Sequence, residues 1–405
     1  MVRFLAIMVM LGTLAVSGCT EMSQPSSVEV QGDKMQLKVA TFNVSMEATN
    51  YTKADDTKIS LQALIDELAS GDNQQIKNVA EIIQLTQPDI ILLNEFDYIA
   101  ESDKGVNAFL TNYLSVSQNG AQPVNYPYFY LAPVNTGVKV PEQALTKRLT
   151  HFGFGRYPGQ YGMVVLSKYP IDSAKVRTFQ NFLWQDMPNN LMPVDDQGQD
   201  WYPEQSKQIM RLSSKSHWDL PINVCGEDVH ILASHPTPPV FDGKEDRNGR
   251  RNFDEIRFWS DYIEANETSY HYDDKGTQGG IVKGAKFVIL GDLNASNVDG
   301  DAYPGAIDNL LKHSLVNNFA APVSEGGKEN KPDNAHSASH TAGWGMRADY
   351  VLPSSNIEVT NSGVFWPSSS DGMSRLVKDR RSSSDHRLVW VDVNLTKLTN
   401  NCNPN

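Results

Sequence analysis

The chain has little cysteine, a shortage of basic charge and almost no long apolar run. Three cysteines in 405 residues exclude a small disulfide-stapled scaffold and a cysteine-rich zinc module. Lysine and arginine number 35 against 48 aspartates and glutamates, a formal net charge of −13. A chain that acidic has no general attraction for nucleic acid, and only a local basic groove would bind one. The one long apolar run, residues 4–16, is too short for a comfortable membrane span, and no later stretch is long enough to cross a bilayer.

That run follows Arg3 and ends in Val16-Ser17-Gly18-Cys19. A basic residue, an apolar stretch and small residues ahead of a cysteine read as a bacterial signal peptide, residues 1–18, with lipid attached to Cys19 after cleavage. Residues 19–36 are polar and serine-rich and read as a lipidated tether. Removing the signal takes away only Arg3 among charged groups and moves the net charge from −13 to −14. The expected location is the bacterial cell envelope, periplasmic or at the cell surface, with the lipid as the membrane contact and the protein a monomer. Cys225 and Cys402 then remain. In an oxidising compartment they can pair, or stand as two inert thiols.

What the sequence does have is a series of short β-branched, apolar runs. Residues 37–44, 90–93, 163–166, 229–233, 287–290, 348–352 and 388–393 read as buried strands. The spacing of Ile76, Val79, Ala80 and Ile83 predicts a helix over 74–85, and similar patterns predict helices over 253–263 and 305–311. No repeat and no change of composition follows residue 37, so residues 37–397 read as one α/β domain with 398–405 as a tail. The segments 99–155 and 176–216 read as loop-rich insertions.

Polar side chains recur at the ends of those strands. Asn43 lies within TFNV, Glu95 follows IILLN, His235 follows HILAS, Asp292 and Asn294 follow FVILG, Asp349 sits in RADYVL, and Asp385 and His386 precede RLVWVDV. Singly, each is explained by turn formation or a solvated strand end. Together they supply what metal-assisted phosphate ester hydrolysis needs: carboxylates for a hard cation, a second carboxylate for the attacking water, an amide to orient it and histidines for the phosphate or leaving group. His235 opens the stretch HPTPPVFDGKEDRNGRR, whose prolines at 236, 238 and 239 bar a helix or central strand and mark a loop. Arg247, Arg250 and Arg251 in it suit a clamp on a second anionic group, or a helix start capped by Asn252 or Asp254.

In chain order, TFNV, PDIILLNEFD, GQYGMVVLSKYPI, HILASHPTPP, FVILGDLN, RADYVL and SSDHRLVWVDV resemble the endonuclease/exonuclease/phosphatase superfamily, with its deoxyribonuclease-I-like fold, over residues 37–395 or so. HPTPPVFDG looks like the loop of bacterial secreted members rather than of the better-known branches. The resemblance implies an α/β sandwich of two mixed β-sheets flanked by helices, with the site at the sheet ends. It implies a divalent cation, Mg²⁺ or Mn²⁺, with Ca²⁺ as a further option, at Glu95, Asn43 and Asp385. It also implies that Asp292 activates the attacking water, that Asn294 contacts substrate and water, that His386 meets the scissile phosphate with Asp349 orienting it, and that His235 assists at the phosphate or leaving group.

The function expected is a lipid-anchored, metal-dependent hydrolase of phosphate esters, a phosphodiesterase or phosphatase acting on small or organic phosphates. The alternatives are a secreted nuclease, a phospholipid-cleaving phosphodiesterase and a binding module without catalysis. Nucleic acid is the less favoured partner. The aromatics Tyr126, Tyr128, Phe129 and Tyr130, with Lys147, Arg148 and His151, would form a stacking groove in a nuclease, or pack an insertion onto the core.

Overall fold

The computed structural model describes residues 34–52, 60–264, 269–396 and 398. The expected signal peptide, the lipid site Cys19 and the second cysteine Cys402 lie outside the described residues. Among the described residues, eleven strands form two mixed sheets. The first has the order β10 (Glu358–Val364), β11 (Val389–Thr396), β1 (Lys34–Met46), β2 (Ile90–Phe96), β4 (Met163–Ser167), β3 (Tyr128–Tyr130). The second has the order β5 (Arg177–Thr178), β6 (His217–Val224), β7 (Glu227–Ser234), β8 (Lys286–Asp292), β9 (Asp349–Pro353).

Side chains alternate across a strand, so a strand buried on both faces feeds two cores. In β8, Val288 and Leu290 join the core between the sheets, while Phe287 and Ile289 join Phe258, Trp259 and Tyr262 of the helix Arg247–Ile263 in a second core on the outer face. On the outside of the first sheet, the helix Gln74–Thr86 buries Ile76, Val79, Ala80 and Ile83, the stripe its spacing predicted. Asn73 caps it by accepting from the N–H groups of Gln75 and Ile76.

Three boundaries differ from the sequence reading. β1 begins at Lys34, because β11 runs on to Thr396 and offers backbone partners to Lys34, Met35 and Gln36, residues expected in the tether. The helix expected from 253 begins at Arg247. Asp242 accepts from the N–H of Asn248 at 2.6 Å and satisfies one of the donors that a helix start leaves open. The stretch after His235 is therefore a loop and then a helix, with all three arginines inside the helix. The helix expected over 305–311 is the single turn Asp308–Leu311.

The sheet directions decide where the chemistry lies. β1 runs parallel to β2 and β7 parallel to β8, whereas β11 is antiparallel to β1 and β9 antiparallel to β8. The carboxyl ends of β1, β2, β7 and β8 thus meet the amino ends of β9 and β11 at one edge. Asn94 ties the two sheets there. Its Oδ1 accepts from Thr41 Oγ1 at 3.2 Å and from the N–H of Asp292 at 3.1 Å, and its Nδ2 donates to the carbonyl of Ser234 at 3.3 Å.

At the opposite edge, Cys225 is disulfide-bonded and its carbonyl accepts from the N–H of Leu398 at 3.1 Å. No helix among the described residues is long and apolar enough to cross a membrane.

Candidate active site

Asp292 closes β8 and is the hub of the site. It pairs across the sheet with Asp349, the first residue of β9. Its Oδ2 lies 3.1 Å from Asn43 Nδ2, 3.4 Å from His235 Nε2 and 3.6 Å from His386 Nε2, and its Oδ1 accepts from the N–H of Asn294 at 3.1 Å. Burial opposes its charge, but the His386 and His235 partners and the Asn43 donor outweigh that and hold its carboxyl well below the usual carboxylate range. The backbone is bent to achieve this. Glu95 and Asn294, at the ends of β2 and β8, both take positive φ, 56° and 53°, a conformation that costs free energy and gathers at functional sites.

His386 stands just ahead of β11. Its Nδ1 is 2.9 Å from Asp349 Oδ2, and Asp349 also accepts from Thr341 Oγ1 at 2.6 Å. Burial alone would discharge the imidazole, but Asp349, Asp292 and Asp385 raise its pKa to about 10. His235 goes the other way: burial and the nearby Lys215 ammonium lower its pKa. Two histidines beside one carboxylate are therefore held in opposite protonation states at neutral pH, a separation that marks distinct proton-transfer roles. His235 Nδ1 is buried with no hydrogen-bond partner among the described residues.

The hard-oxygen donors gather on the other side of Asn43. Arg380 Nη1 reaches both carboxylate oxygens of Asp385, at 3.0 and 2.9 Å, and Nη2 reaches Glu95 Oε2 at 3.2 Å and Glu47 Oε1 at 3.8 Å. Three carboxylates converge on this one cationic group, and a hard divalent cation that keeps several waters needs only one or two of them; the guanidinium stands where such charge is wanted. Glu95, Asp385 and Glu47 are the residues here that would hold the metal. Asn43 is turned elsewhere, with Nδ2 on Asp292 and Oδ1 accepting from the N–H of Ser45 at 3.2 Å; Ser45, whose Oγ donates to Asp385 Oδ1 at 3.2 Å, completes the link to the carboxylate cluster. Ligand atoms of Asp292, Asp349 and His386 also lie within 4.8 Å of one another. There, His386 Nδ1 is committed to Asp349, which leaves the Glu95, Asp385 and Glu47 oxygens as the better seat.

The three arginines are not gathered into a clamp. Arg251 is buried, and its guanidinium donates to the carbonyls of Leu212, Phe152 and Arg211 at 2.8, 2.7 and 2.9 Å. It braces loops because one turn of helix carries it inward. Arg247 pairs with Glu245 and donates to the Phe241 carbonyl at 3.1 Å. Arg250 Nε donates to the Glu245 carbonyl at 3.2 Å, with its guanidinium over the Tyr303 ring. The aromatic run packs onto the core: Tyr126 is buried with its hydroxyl on the Pro88 carbonyl, and Tyr130 meets Trp218 edge-on.

Sequence reasoning missed Glu47, Arg380, Thr341 and Lys215. Glu47 follows the TFNV strand by a few residues and shares the strand-end signal that exposed the others. Arg380 had no such signal.

The chain belongs to the endonuclease/exonuclease/phosphatase family, whose model matches residues 40–386, and it is a divalent-metal-dependent phosphoric ester hydrolase. Among solved structures it is similar to an endonuclease/exonuclease/phosphatase from Beutenbergia cavernae DSM 12333, at 17% identity over 89% of this chain and 72% of that one, TM-score 0.44. It is similar to a mutant beta toxin from Staphylococcus aureus with bound magnesium ions, at 15% identity over 88% and 99%, TM-score 0.41. It is also similar to TDP2 from Caenorhabditis elegans, at 12% over 89% and 74%, TM-score 0.40. No curated protein matches the sequence.

Proposed function

We propose that the chain hydrolyses small phosphate esters at the bacterial cell envelope, where lipid on Cys19 holds it to the membrane. The observation that carries the chemistry is Asp292, buried between a cationic His386 and a neutral His235 at the sheet edge where the Glu95, Asp385 and Glu47 carboxylates converge. Mg²⁺ is the metal proposed at those carboxylates, where it would neutralise phosphoryl oxygens.

The protein's own groups divide the remaining work. A carboxylate held as low as that of Asp292 is a weak proton acceptor, so it orients and polarises the attacking water through Oδ2. His386, locked at Nδ1 by Asp349, presents Nε2–H as a charged donor to an oxygen that becomes negative in the transition state. His235 is neutral and lies within reach of the same Asp292 oxygen, placed to take up or return a proton. The net charge of −13 and the packing of the aromatic run favour a small ester over a nucleic-acid strand, which would ask for many phosphate contacts.

The test is a substrate panel on protein lacking residues 1–19, with Mg²⁺, Mn²⁺ or Ca²⁺, against DNA, RNA, nucleotides, phospholipids, phytate and aryl phosphates. Turnover of a small ester should exceed nicking of supercoiled plasmid at equal phosphate. Plasmid nicking far above every ester, absent from an Asp292→Asn control, would establish a nuclease instead. For the anchor, Cys19→Ser should release the protein from membranes or block its maturation. Unchanged membrane attachment with no lipid on the N-terminal peptide would sink that part.

A further inference from the structure

We infer that Arg380 is an internal counter-cation that competes with the divalent metal for the Glu95, Asp385 and Glu47 carboxylates, so that metal loading is an exchange of cations and not a simple addition. The inference rests on the proposed metal seat and concerns what sets its affinity.

Both terminal nitrogens of the Arg380 fork are directed at acids. One nitrogen bridges both oxygens of Asp385 and the other spans Glu95 and Glu47. Each of these is a hydrogen bond or close ion pair between charged groups, roughly twice as strong as its neutral counterpart. The need for them is plain from the burial. The Glu47 and Glu95 side chains are 5% and 14% exposed, and like charges brought that close in a low-dielectric setting repel strongly. Without a cation the edge would be destabilised by its own acids.

The guanidinium side chain itself is 39% exposed, on the segment between the helical turn Gly372–Val377 and His386. The side chain already meets solvent, which a permanent structural cross-link would not require. Contrast Arg251, whose buried guanidinium is spent on fixed carbonyls, and Arg387, whose buried fork donates to the carbonyls of Ser384, His386 and Val377. Arg380 alone among these three has only carboxylate partners. A divalent ion taking the same oxygens loses the hydrogen bonds Arg380 makes and meets its positive charge at close range. Both effects lower metal affinity, and both are relieved when the side chain swings to solvent. Arg380 is thus a positioning residue: it keeps the carboxylates assembled and weakens the site for metal.

Calorimetric titration of Mg²⁺ and Mn²⁺ into the metal-stripped full chain in detergent, without substrate, tests this in wild type, Arg380→Gln, Arg380→Lys and Glu95→Gln. Arg380→Gln should bind metal about tenfold or more tightly than wild type, melt at a lower temperature when metal-free and regain that loss at saturating Mg²⁺. Arg380→Lys, which keeps the charge, should bind nearer to wild type.

A measurement on wild type needs no variant to fold: Mg²⁺ should increase phenylglyoxal modification of Arg380, followed by peptide mass spectrometry. Equal or weaker metal binding by Arg380→Gln, or protection of Arg380 by Mg²⁺, overturns the exchange. If Glu95→Gln abolishes binding in that same case, the metal seat stands and the exchange alone fails. If Glu95→Gln leaves the isotherm of wild type unchanged, the seat itself is wrong and the exchange falls with it.

Discussion

Asp349 holds His386 by its Nδ1, at 2.9 Å, and so aims the other ring nitrogen at Asp292, 3.6 Å away. The bond fixes which nitrogen donates to the protein and which faces the site, and the carboxylate stabilises the imidazolium. Asp349→Asn keeps the shape but removes the charge. We expect kcat/KM to fall about a hundredfold or more, as for loss of one preorganised electrostatic partner, with circular dichroism unchanged. A variant with near-parental turnover at saturating metal would show that His386 does not need its partner.

The same pair makes a pH prediction. His386 is raised from an ordinary value of 6.5 to about 10, and its reading as a charged donor requires the protonated form. Activity should therefore persist through neutral pH and fall as pH rises through about 10. The stability term has the same sign: a raised folded pKa contributes fully below the unfolded value of about 6.5 and is lost as pH rises through the folded one. Urea melts of metal-free protein should weaken from pH 7 toward 10, and Asp349→Asn should flatten that slope. A slope equal in the variant and the parent would assign the loss to other groups.

How much of this was legible in the sequence follows from what each residue has for neighbours along the chain. Glu95, His235, Asp292 and Asp349 sit at ends of apolar runs, so the pattern that located β2, β7, β8 and β9 also located them. Arg380 lies 285 residues from Glu95, in a serine-rich loop with no periodicity. Only the pairing of β11 with β1 and β1 with β2 closes that distance. Arg251 was misplaced for a local reason. Reading the helix as starting at Phe253 left it in a loop, whereas a start at Arg247 turns it into the interior. The two histidines could be named but not told apart, since burial, with Lys215 beside it, lowers one and the Asp349 carboxylate raises the other, and only the fold supplies both.

Arg251 now supports a prediction of stability. Its buried cation makes three hydrogen bonds to carbonyls, and removing it strands those acceptors in the interior. Arg251→Ala should cost about 2–4 kcal/mol in chemical denaturation while the KM of folded protein for small esters stays close to the parent's. A change in KM for anionic esters without loss of stability would return Arg251 to the substrate.

The last prediction concerns the edge away from the site. Cys225 is disulfide-bonded, and the N–H of Leu398 donates to its carbonyl at 3.1 Å, which brings Leu398 to the strand pair β6–β7. Cys402 follows four residues after Leu398 and is the partner we propose. Such a bridge would tie the tail to the turn between these strands, and β7 leads directly to His235. It acts mainly by restricting the unfolded chain, with a contribution of about 2–4 kcal/mol. Cys402→Ser, or mild reduction, should lower the melting temperature by a corresponding amount, and peptide mapping without reductant should recover the Cys225 and Cys402 peptides joined. The turnover of the folded protein should change little, because the bridge lies at the opposite end of β7 from His235. Two free thiols in oxidised protein, or a Cys225 peptide joined to some other cysteine, would refute the pairing.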